Sequence, residues 1–250
     1  MELSAGPADL RDILPWRATY LLEMNCQVVH DSFHTRSGWS EEYQLFVDGT
    51  PAGYGSVVVA GPWAGTPTIY EFFVVPDYRG HAFKLFEALM GASGAARING
   101  QTNDPMITVM LHTFAHEITS ESILFHDRLT TAMQPAGARF RTAAEADDLG
   151  VSQDQLQWHG VVEVDGTIAA TGGILFHYNR PYGDIYMEVT DAFRRRGLGA
   201  FIVQELKRVC YEGGSVPSAR CRPDNAASRL TLQRAGFVPC GNILNGVIRR

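Results

Sequence analysis

Between residues 184 and 237 the pattern of apolar and polar positions changes from a period of two to a period near 3.6. Apolar and polar residues alternate in the first part of this segment: Ile185, Tyr186, Met187, Glu188 and Val189. This alternation predicts a β-strand. Apolar residues then recur three or four positions apart, at Leu198, Ile202, Leu206 and Val209. That spacing predicts an amphipathic helix ending near Tyr211.

A second strand and a second helix are predicted in the rest of this segment. Residues 219–222 have the composition of a short strand, and a helix should run from about Ala226 to Arg234. Asp224 or Asn225 would be its N-cap, and Gly236 would end it. The order strand, turn, helix, strand, helix is typical of an α/β fold. In the first half, residues 107–111 predict a strand that runs into a loop.

Two stretches of the chain occur twice, in the same order and at nearly the same spacing. Residues 47–52 match residues 164–169 at an offset of 117, and residues 69–80 match residues 184–195 at an offset of 115. The first match contains Asp-Gly, which favours a two-residue hairpin turn between strands. The repetition indicates an internal duplication. It predicts domains at 1–132 and 138–250, joined by the turn-forming residues 134–137.

The turn between the predicted strand and helix has the features of a phosphate-binding site. Its sequence is Arg194-Arg195-Arg196-Gly197-Leu198-Gly199-Ala200. Glycines let a ligand approach the backbone, and the N–H groups at a helix start carry partial positive charge. Arginine adds forked donors that suit phosphate oxygens. The turn therefore predicts a pyrophosphate cradle, with an arginine-rich surface turn as the alternative.

Two further motifs follow this turn: Asn225-Ala226-Ala227-Ser228 and Gly236-Phe237. Together with the turn they make the segment from Asp184 to Phe237 resemble the GNAT superfamily of acyl-CoA N-acyltransferases. In that family V-x-P-x-x-[RQ]-x-x-G-x-[GA] holds the coenzyme A pyrophosphate, and N-x-x-[AS] with a later G-F marks the next helix. Here the first motif begins at Val189, and Asp191 replaces the usual proline. The clear resemblance covers about 55 residues, and a weaker one extends over residues 139–250.

The resemblance implies a mixed α/β fold with two GNAT-like domains, each a splayed mixed sheet flanked by helices. The fourth strand of such a sheet usually carries a bulge. Acetyl-CoA, as co-substrate, would bind the second domain, with the backbone of Met187 and Val189 bonded to the pantetheine amides. Asn225 and Ser228 would line the other side, although Ser228 could equally be a helix-surface hydroxyl. The phosphates would be held by Arg194, Arg195, Arg196, Gly197, Leu198, Gly199 and Ala200.

The first half differs from this pattern at the same turn. Its sequence there is Arg79-Gly80-His81-Ala82-Phe83-Lys84, so Ala82 and Lys84 stand where the second half has Gly197 and Gly199. A lysine side chain should fill the space that a pyrophosphate needs. The segment corresponding to N-x-x-[AS] is residues 119–122, TSES. We therefore expect a degenerate GNAT-like domain that contributes to the acceptor pocket, with an unrelated α/β extension as the alternative.

Acyl transfer to an amine needs a base, because an alkyl ammonium is not a nucleophile at pH 7. Glu188 and Asp184 are the candidates for this base, and Tyr186 could supply a hydroxyl near the thioester. Solvated carboxylates and a packed aromatic ring are the alternative interpretations. Many GNAT enzymes place a tyrosine acid four residues before the G-F glycine, where this chain has Leu232. Two functions follow: an N-acetyltransferase acting by direct attack in a ternary complex, or a non-catalytic acyl-CoA sensor or scaffold.

The charge of the chain limits the classes of molecule that it is expected to bind. The net charge of −6 argues against nucleic-acid binding. Residues 1–130 hold 15 acidic and 7 basic residues, so we expect a primary amine, cationic or neutral, as acceptor. A small molecule is the expectation, and an amino acid, an antibiotic and a protein terminus are the alternatives.

Location and metal content follow from other features of the sequence. Neither an apolar run of about 18 residues nor a signal-like start occurs, and the four cysteines form no CxxC pair. These features predict a cytoplasmic protein without a membrane segment. His112 and His116 have zinc-ligand spacing only on a helix, so we expect no metal.

Overall fold

The computed structural model describes residues 1–147 and 149–249, and the chain forms two compact units. Unit 1 comprises Met1–Glu121 and the C-terminal stretch from Gly241, and unit 2 comprises Ser122–Cys240. This division differs from the 1–132 and 138–250 domains suggested by the repeats. The reason is strand pairing over long sequence separations. Residues 123–126 pair with a strand of unit 2, and residues 243–247 pair with a strand of unit 1.

Unit 1 is a mixed sheet with three helices. Its strands are β1 (Leu3–Ala8), β2 (Ser40–Val47), β3 (Thr50–Val58), β4 (Thr68–Val74) and β5 (Arg97–Gln101). Its helices are α1 (Leu10–Met24), α2 (Ala82–Ser93) and α3 (Pro105–Phe114). Two strands run through both units: β6 (Ala115–Asp127) and β12 (Phe237–Ile248). The strand order in unit 1 is β1-β2-β3-β4-β5-β12, and the β4–β5 pair is parallel.

Unit 2 repeats this arrangement. Its elements are β7 (Ala138–Thr142), β8 (His159–Val164), β9 (Thr167–Leu175), β10 (Tyr182–Val189), α4 (Leu198–Glu212), β11 (Val216–Cys221) and α5 (Ala226–Arg234). The order is β6-β11-β10-β9-β8-β7, and the β10–β11 pair is parallel. Apolar side chains of α4 pack on one face of this sheet and form the core of the unit. The predicted mixed α/β fold is therefore confirmed, although all twelve strands belong to a single mixed sheet flanked by helices.

The local signals in the sequence explain these elements. Asp48-Gly49 and Asp165-Gly166 all have positive φ, between 48° and 76°, and connect β2 to β3 and β8 to β9. Positive φ at both turn residues matches the right-handed twist of a hairpin. The predicted second helix, α5, has the expected bounds. Asn225 is its N-cap and accepts a hydrogen bond from the Ser228 N–H at 3.0 Å.

The strand predicted at residues 107–111 is wrong, because these residues lie in α3. Asp104 caps that helix by accepting hydrogen bonds from the N–H groups of Met106 and Ile107. The buried residues of α3 are Ile107, Met110 and Leu111, so a short apolar run here has helical spacing. His112 lies in the last turn of α3, and His116 lies in β6.

Two findings concern metals and membranes. No group of three or more His, Cys, Asp or Glu residues among the described positions could hold a metal. Within the same described residues, each helix is too short or too polar to cross a membrane.

A buried network of charges covers one face of the unit 1 sheet. Arg17 of α1 donates from Nε and Nη2 to the Glu71 carboxylate at 3.1 and 3.0 Å. His34 lies between two carboxylates, with Nδ1 2.9 Å from Glu42 and Nε2 3.2 Å from Glu71. Burial alone would lower the pKa of His34, but the charge of Glu71 and the hydrogen bonds to both carboxylates raise it to about 9.

This pKa predicts that unit 1 loses stability in alkaline solution. A group whose pKa rises on folding stabilises the folded state. For His34 this stabilisation is complete below the ordinary pKa of about 6.5 and is lost as the pH rises through about 9. The free energy of unfolding should therefore fall between pH 6.5 and 9.5, by roughly 2–4 kcal/mol. Urea titrations followed by tryptophan fluorescence would measure it. His34→Gln should be less stable at pH 6.5 and nearly flat over this range; an unchanged slope in the variant would contradict the assignment.

Candidate active site

The two central strands of unit 2 part half-way along their length. β10 pairs with β11 only at Tyr182, Gly183 and Asp184, and from there to Val189 it is paired on its β9 side alone. The Thr190 N–H donates to the Ala169 carbonyl at 3.0 Å, towards β9. Because backbone groups alternate in direction along a strand, those of Met187 and Val189 point to the opposite side, into the gap. The gap therefore offers the backbone N–H and carbonyl of Met187 and the N–H of Val189 at the positions expected for pantetheine, whereas the Val189 carbonyl accepts from Arg194 Nε at 3.3 Å.

The bulge implied for the fourth strand is not in β10. The register of β10 with β9 runs without a shift from Asp184↔Leu175 to Val189↔Ala170. The shift occurs instead in unit 1, where Ser56 pairs with Glu71 and Val57 with Ile69, so that the intervening residue of β4 is unpaired. In unit 2, β10 and β11 therefore separate although β10 carries no bulge against β9.

At the end of β10 the chain turns sharply into α4. Gly197 is the N-cap of α4 with φ 81° and ψ 0°, and Arg195 also has a positive φ of 61°. The Phe201 N–H donates to the Gly197 carbonyl at 3.1 Å and makes the first hydrogen bond of the helix. The N–H groups before it have no acceptor within the helix. These groups, with the positive end of the helix dipole, form an anion-binding surface.

The two glycines of the turn are required for different reasons. A Cβ at Gly197 would meet no atom within 4 Å, so its positive φ is the reason for glycine there. A Cβ at Gly199 would lie 3.2 Å from Thr231 Cγ2 and 3.4 Å from Val189 Cγ2. A side chain at this position would therefore project between α5 and β10.

A cleft of about 610 Å³ connects the gap and the turn. It is lined by β10, by the turn and by one side of α5, including Asn225 and Ser228. Thr231 and Arg234 also line it, which sequence reasoning missed. Their spacing of three and six residues from Ser228 along α5 is the signal that could have placed them near it.

The three arginines of the turn do not act alike. Arg194 and Arg195 line the cleft, and Arg194 is tied to Asp191 at 2.7 Å and to the Val189 carbonyl at 3.3 Å. The Arg196 guanidinium lies 5.4 Å from the centre of the Phe193 ring and is not in the lining. The structure therefore separates Arg196 from the other two.

The face of the unit 2 sheet opposite α4, here called the open face, carries the candidate catalytic side chains. Asp184 is 5% exposed, and its Oδ2 lies 2.9 Å from His177 Nε2 and 3.4 Å from Arg220 Nε. Tyr186 is 41% exposed. Glu188 is exposed and forms no ion pair with any described residue. The open face thus brings together Asp184, Tyr186 and Glu188, but Asp184 is already held in a salt bridge.

The open face of unit 2 and the corresponding face of the unit 1 sheet differ in the chain segments that lie over them. In unit 1 the 15-residue helix α1 follows the first strand, and its Arg17 is buried against Glu71 of the sheet. In unit 2 the described residues between β7 and β8 form only the 3-10 turns Glu145–Asp147 and Gln153–Trp158. Tyr186 and Glu188 therefore remain accessible to a second substrate.

Residues 125–237, nearly the whole of unit 2, match the model of the acetyltransferase (GNAT) family. This match covers 113 of the 250 residues and identifies a GNAT-like domain in unit 2. Three solved structures resemble the whole chain in fold. A GNAT acetyltransferase from Colwellia psychrerythraea has a TM-score of 0.75 at 12% identity, with 100% of both chains covered. A GCN5-related N-acetyltransferase from Sphaerobacter thermophilus has 0.63 at 16%, covering 99% and 96%.

The third structure is a tandem GNAT protein from the clavulanic acid biosynthesis pathway, with a TM-score of 0.57 at 13% identity and coverage of 100% and 99%. No curated protein sequence matches this chain. At these identities the three structures show a common fold alone.

Unit 2 departs from the GNAT pattern at Leu232. This residue is 4% exposed and packs in the core, so it presents no polar group to the cleft. Gly236 of the G-F pair does have a structural reason. Its φ is 91°, and a Cβ there would lie 2.0 Å from the Leu129 carbonyl oxygen. The motif glycine is thus a packing requirement between α5 and the end of β6.

Unit 1 lacks the cradle at the corresponding turn. The 3-10 helix Pro76–His81 runs directly into α2, and its residues before α2 adopt no left-handed conformation. Arg79 Nε donates to the Val74 carbonyl at 3.0 Å, as Arg194 does to Val189. Tyr20 and Glu23 of α1 help to line the cavity beside it, which is only about 150 Å³. The turn keeps its position in unit 1 but leaves little space for a ligand.

Proposed function

We propose that unit 2 binds acetyl-CoA and transfers its acetyl group to the nitrogen of a primary amine by direct attack. The observation that carries this proposal is the continuous path from the unpaired edge of β10 to the N-terminus of α4. An extended amide chain can pair with Met187 and Val189 while an anion occupies the first turn of α4. The residues present fit the molecule, because the bare backbone at Gly199 keeps the cleft beside Thr231 and Val189 open, where a Cβ would already be crowded at 3.2 and 3.4 Å.

When bound, acetyl-CoA supplies a thioester whose carbonyl carbon accepts the amine. The protein would contribute in three ways. Backbone groups of β10 would fix the pantetheine, Arg194 and Arg195 would neutralise phosphate charge, and the open face would admit the amine. The acceptor amine must lose a proton before it can attack, and the sequence predicts Glu188 or Asp184 as the base that removes it.

We propose that unit 1 is a degenerate copy of the same domain. The equal strand order, the Asp-Gly hairpins and the paired Arg79 and Arg194 contacts support a duplication. Loss of both turn glycines and the small cavity beside Arg79 support one acetyl-CoA site per chain.

The acceptor should be cationic or neutral, because residues 1–130 carry a net charge of −8. We expect kcat/KM for an amine to fall several-fold when the salt concentration rises from about 20 to 500 mM. Steady-state assays with putrescine would show this, and glucosamine at high pH serves as the uncharged control. A preference for glutamate over putrescine would contradict the expectation.

The alternative is a non-catalytic acyl-CoA sensor, and the buried Leu232 favours it because no tyrosine acid is present at that position. Free thiol release from acetyl-CoA separates the two functions. Four amines cover the main classes: putrescine, glucosamine, benzylamine and a peptide with a free N-terminus. Thiol release that depends on one of them supports transfer. Acetyl-CoA binding without amine-dependent release would identify a sensor.

A further inference from the structure

His159 lies on the open face, in one row with two residues of neighbouring strands. It pairs with Gly173 of β9, and Gly173 pairs with Tyr186 of β10. Residues directly opposite each other share a face of the sheet. Because Gly173 has no side chain, the rings of His159 and Tyr186 meet above it, with their centres 5.9 Å apart. A Cβ at Gly173 would lie 2.4 Å from His159 Cδ2, so the row depends on this glycine.

The hydrogen bonding of His159 assigns its tautomer. Nδ1 lies 2.8 Å from the Gln155 carbonyl oxygen. A carbonyl only accepts, so Nδ1 carries the hydrogen and Nε2 of the neutral ring is a bare acceptor. His159 is 4% exposed, and its Nε2 is buried without a hydrogen-bond partner among the described residues. A buried acceptor left unsatisfied costs about 1–3 kcal/mol, so a donor from outside the chain would be stabilised here.

The equivalent row of unit 1 already has its partners. Glu42, Ser56 and Glu71 are paired across β2, β3 and β4 as His159, Gly173 and Tyr186 are across β8, β9 and β10. In unit 1 the chain itself supplies nitrogen donors to this row, from Arg17 and His34. In unit 2 the same place has an open acceptor nitrogen. By analogy, a nitrogen donor should also lie beside His159 Nε2 in unit 2, and a bound ligand would supply it.

We propose that His159 is a catalytic residue of unit 2, which binds the N–H of the acceptor amine at Nε2 and takes up its proton. This inference rests on the proposed function. The ammonium gives its first proton to Nε2; the neutral amine then forms a C–N bond to the acetyl carbonyl carbon as the C–S bond breaks. The second amine proton ends on the sulfur, and the first leaves Nε2 for solvent.

The Tyr186 ring is a neighbour of the His159 ring and is itself exposed, so it would turn aside to admit the amine to the buried Nε2. Of the bases expected from sequence, Asp184 is already occupied by His177 and Arg220. Glu188 is a solvated carboxylate. An imidazole ordinarily titrates nearer neutral pH than a carboxylate and is therefore the more effective proton acceptor at pH 7.

Two substitutions test the roles of the two His159 ring nitrogens separately. His159→Asn keeps a donor for the Gln155 carbonyl but removes Nε2. His159→Gln places an amide near Nε2 that can accept a hydrogen bond but cannot take up a proton. With acetyl-CoA and the most active of the four amines, we expect kcat to fall by roughly 10²–10³-fold in both variants. The acidic limb of the pH–rate profile should disappear, and acetyl-CoA affinity measured by calorimetry should not change.

A second measurement needs no turnover. Nitrogen-15 spectra of the imidazole in the free protein should show a protonated Nδ1 and an unprotonated Nε2, with His159→Asn identifying the signals. Each of the four amines is then added without acetyl-CoA, and the active one should shift the Nε2 resonance. A protonated Nε2 at pH 8, or no shift with any amine, would overturn the inference.

Kinetic measurements decide independently between His159 and Glu188 as the base. Wild-type rates in His159→Asn, with a large loss of kcat in Glu188→Gln, would assign the base to Glu188 and overturn the inference while leaving acetyl transfer intact. Failure of the wild type to bind acetyl-CoA would instead overturn the proposed function, and the catalytic role of His159 with it, whereas the amine-dependent shift at Nε2 would still show whether this nitrogen binds an amine.

Discussion

Gly199→Lys should abolish acetyl-CoA binding in titration calorimetry, whereas the wild-type chain should bind one equivalent. The substitution puts a side chain where even a Cβ lies 3.2 Å from Thr231 and 3.4 Å from Val189. The rest of the lysine would have to extend into the cleft that leads to the turn. It adds a positive charge, which by itself favours phosphate, but steric exclusion at closest approach exceeds the effect of one screened charge. The chain holds the same residue at the equivalent position in unit 1, Lys84.

A matched control for this variant is Gln233→Lys, which adds the same charge at an exposed position of α5 outside the cleft lining. It should bind acetyl-CoA as the wild type does. Circular dichroism should show the same secondary structure in all three proteins. Two equivalents bound by the wild type, or near-normal affinity of Gly199→Lys, would show that the cofactor lies elsewhere.

Local sequence signals predicted the part of the fold that holds the cleft. The period change after Val189, the glycine turn and the Asn225 cap placed α4 and α5 within one residue of their bounds and β10 within three. Each of these signals acts over fewer than about 15 residues, which is the range over which periodicity and capping are informative. The strand at residues 107–111 was wrong because an apolar run of five has no decisive period. Its Asp-Pro start was the stronger indication of a helix.

Features that depend on distant residues could not be predicted in this way. The end of the chain joins unit 1 because residues 243–247 pair with β5, about 145 positions earlier. His159 begins a strand in an unremarkable context, and only the register across Gly173 brings it to Tyr186. The sequence predicts Asp184 as a candidate base, but the residues beside its carboxylate, His177 and Arg220, come from a loop and from β11. Strand register and loop packing determine which side chains meet on the open face, and neither can be read from a short stretch of sequence.

The charge network of unit 1 should be the most sensitive point for stability. Glu71 is fully buried, and its oxygens accept from Arg17 and from the Tyr54 hydroxyl at 2.9 Å. Burial alone would raise the pKa of Glu71, but the charges of Arg17 and His34 outweigh it and hold the pKa far below its ordinary value. Arg17→Met would leave this carboxylate without its main partner. Removing one member of a buried ion pair typically costs about 3–5 kcal/mol.

We therefore expect Arg17→Met to lower the free energy of unfolding of unit 1 by about that amount, measured in urea at pH 7. Three of the four tryptophans, Trp16, Trp39 and Trp63, lie in unit 1, so fluorescence reports mainly on this unit. The double variant Arg17→Met/Glu71→Gln should recover most of the loss, because the amide oxygen still accepts from Tyr54 while the unpaired charge is gone. Equal loss in the single and double variants would show that Arg17 stabilises by packing and not by its charge. Acetyl-CoA binding by the double variant should equal that of the wild type, because every residue of the proposed cradle belongs to unit 2.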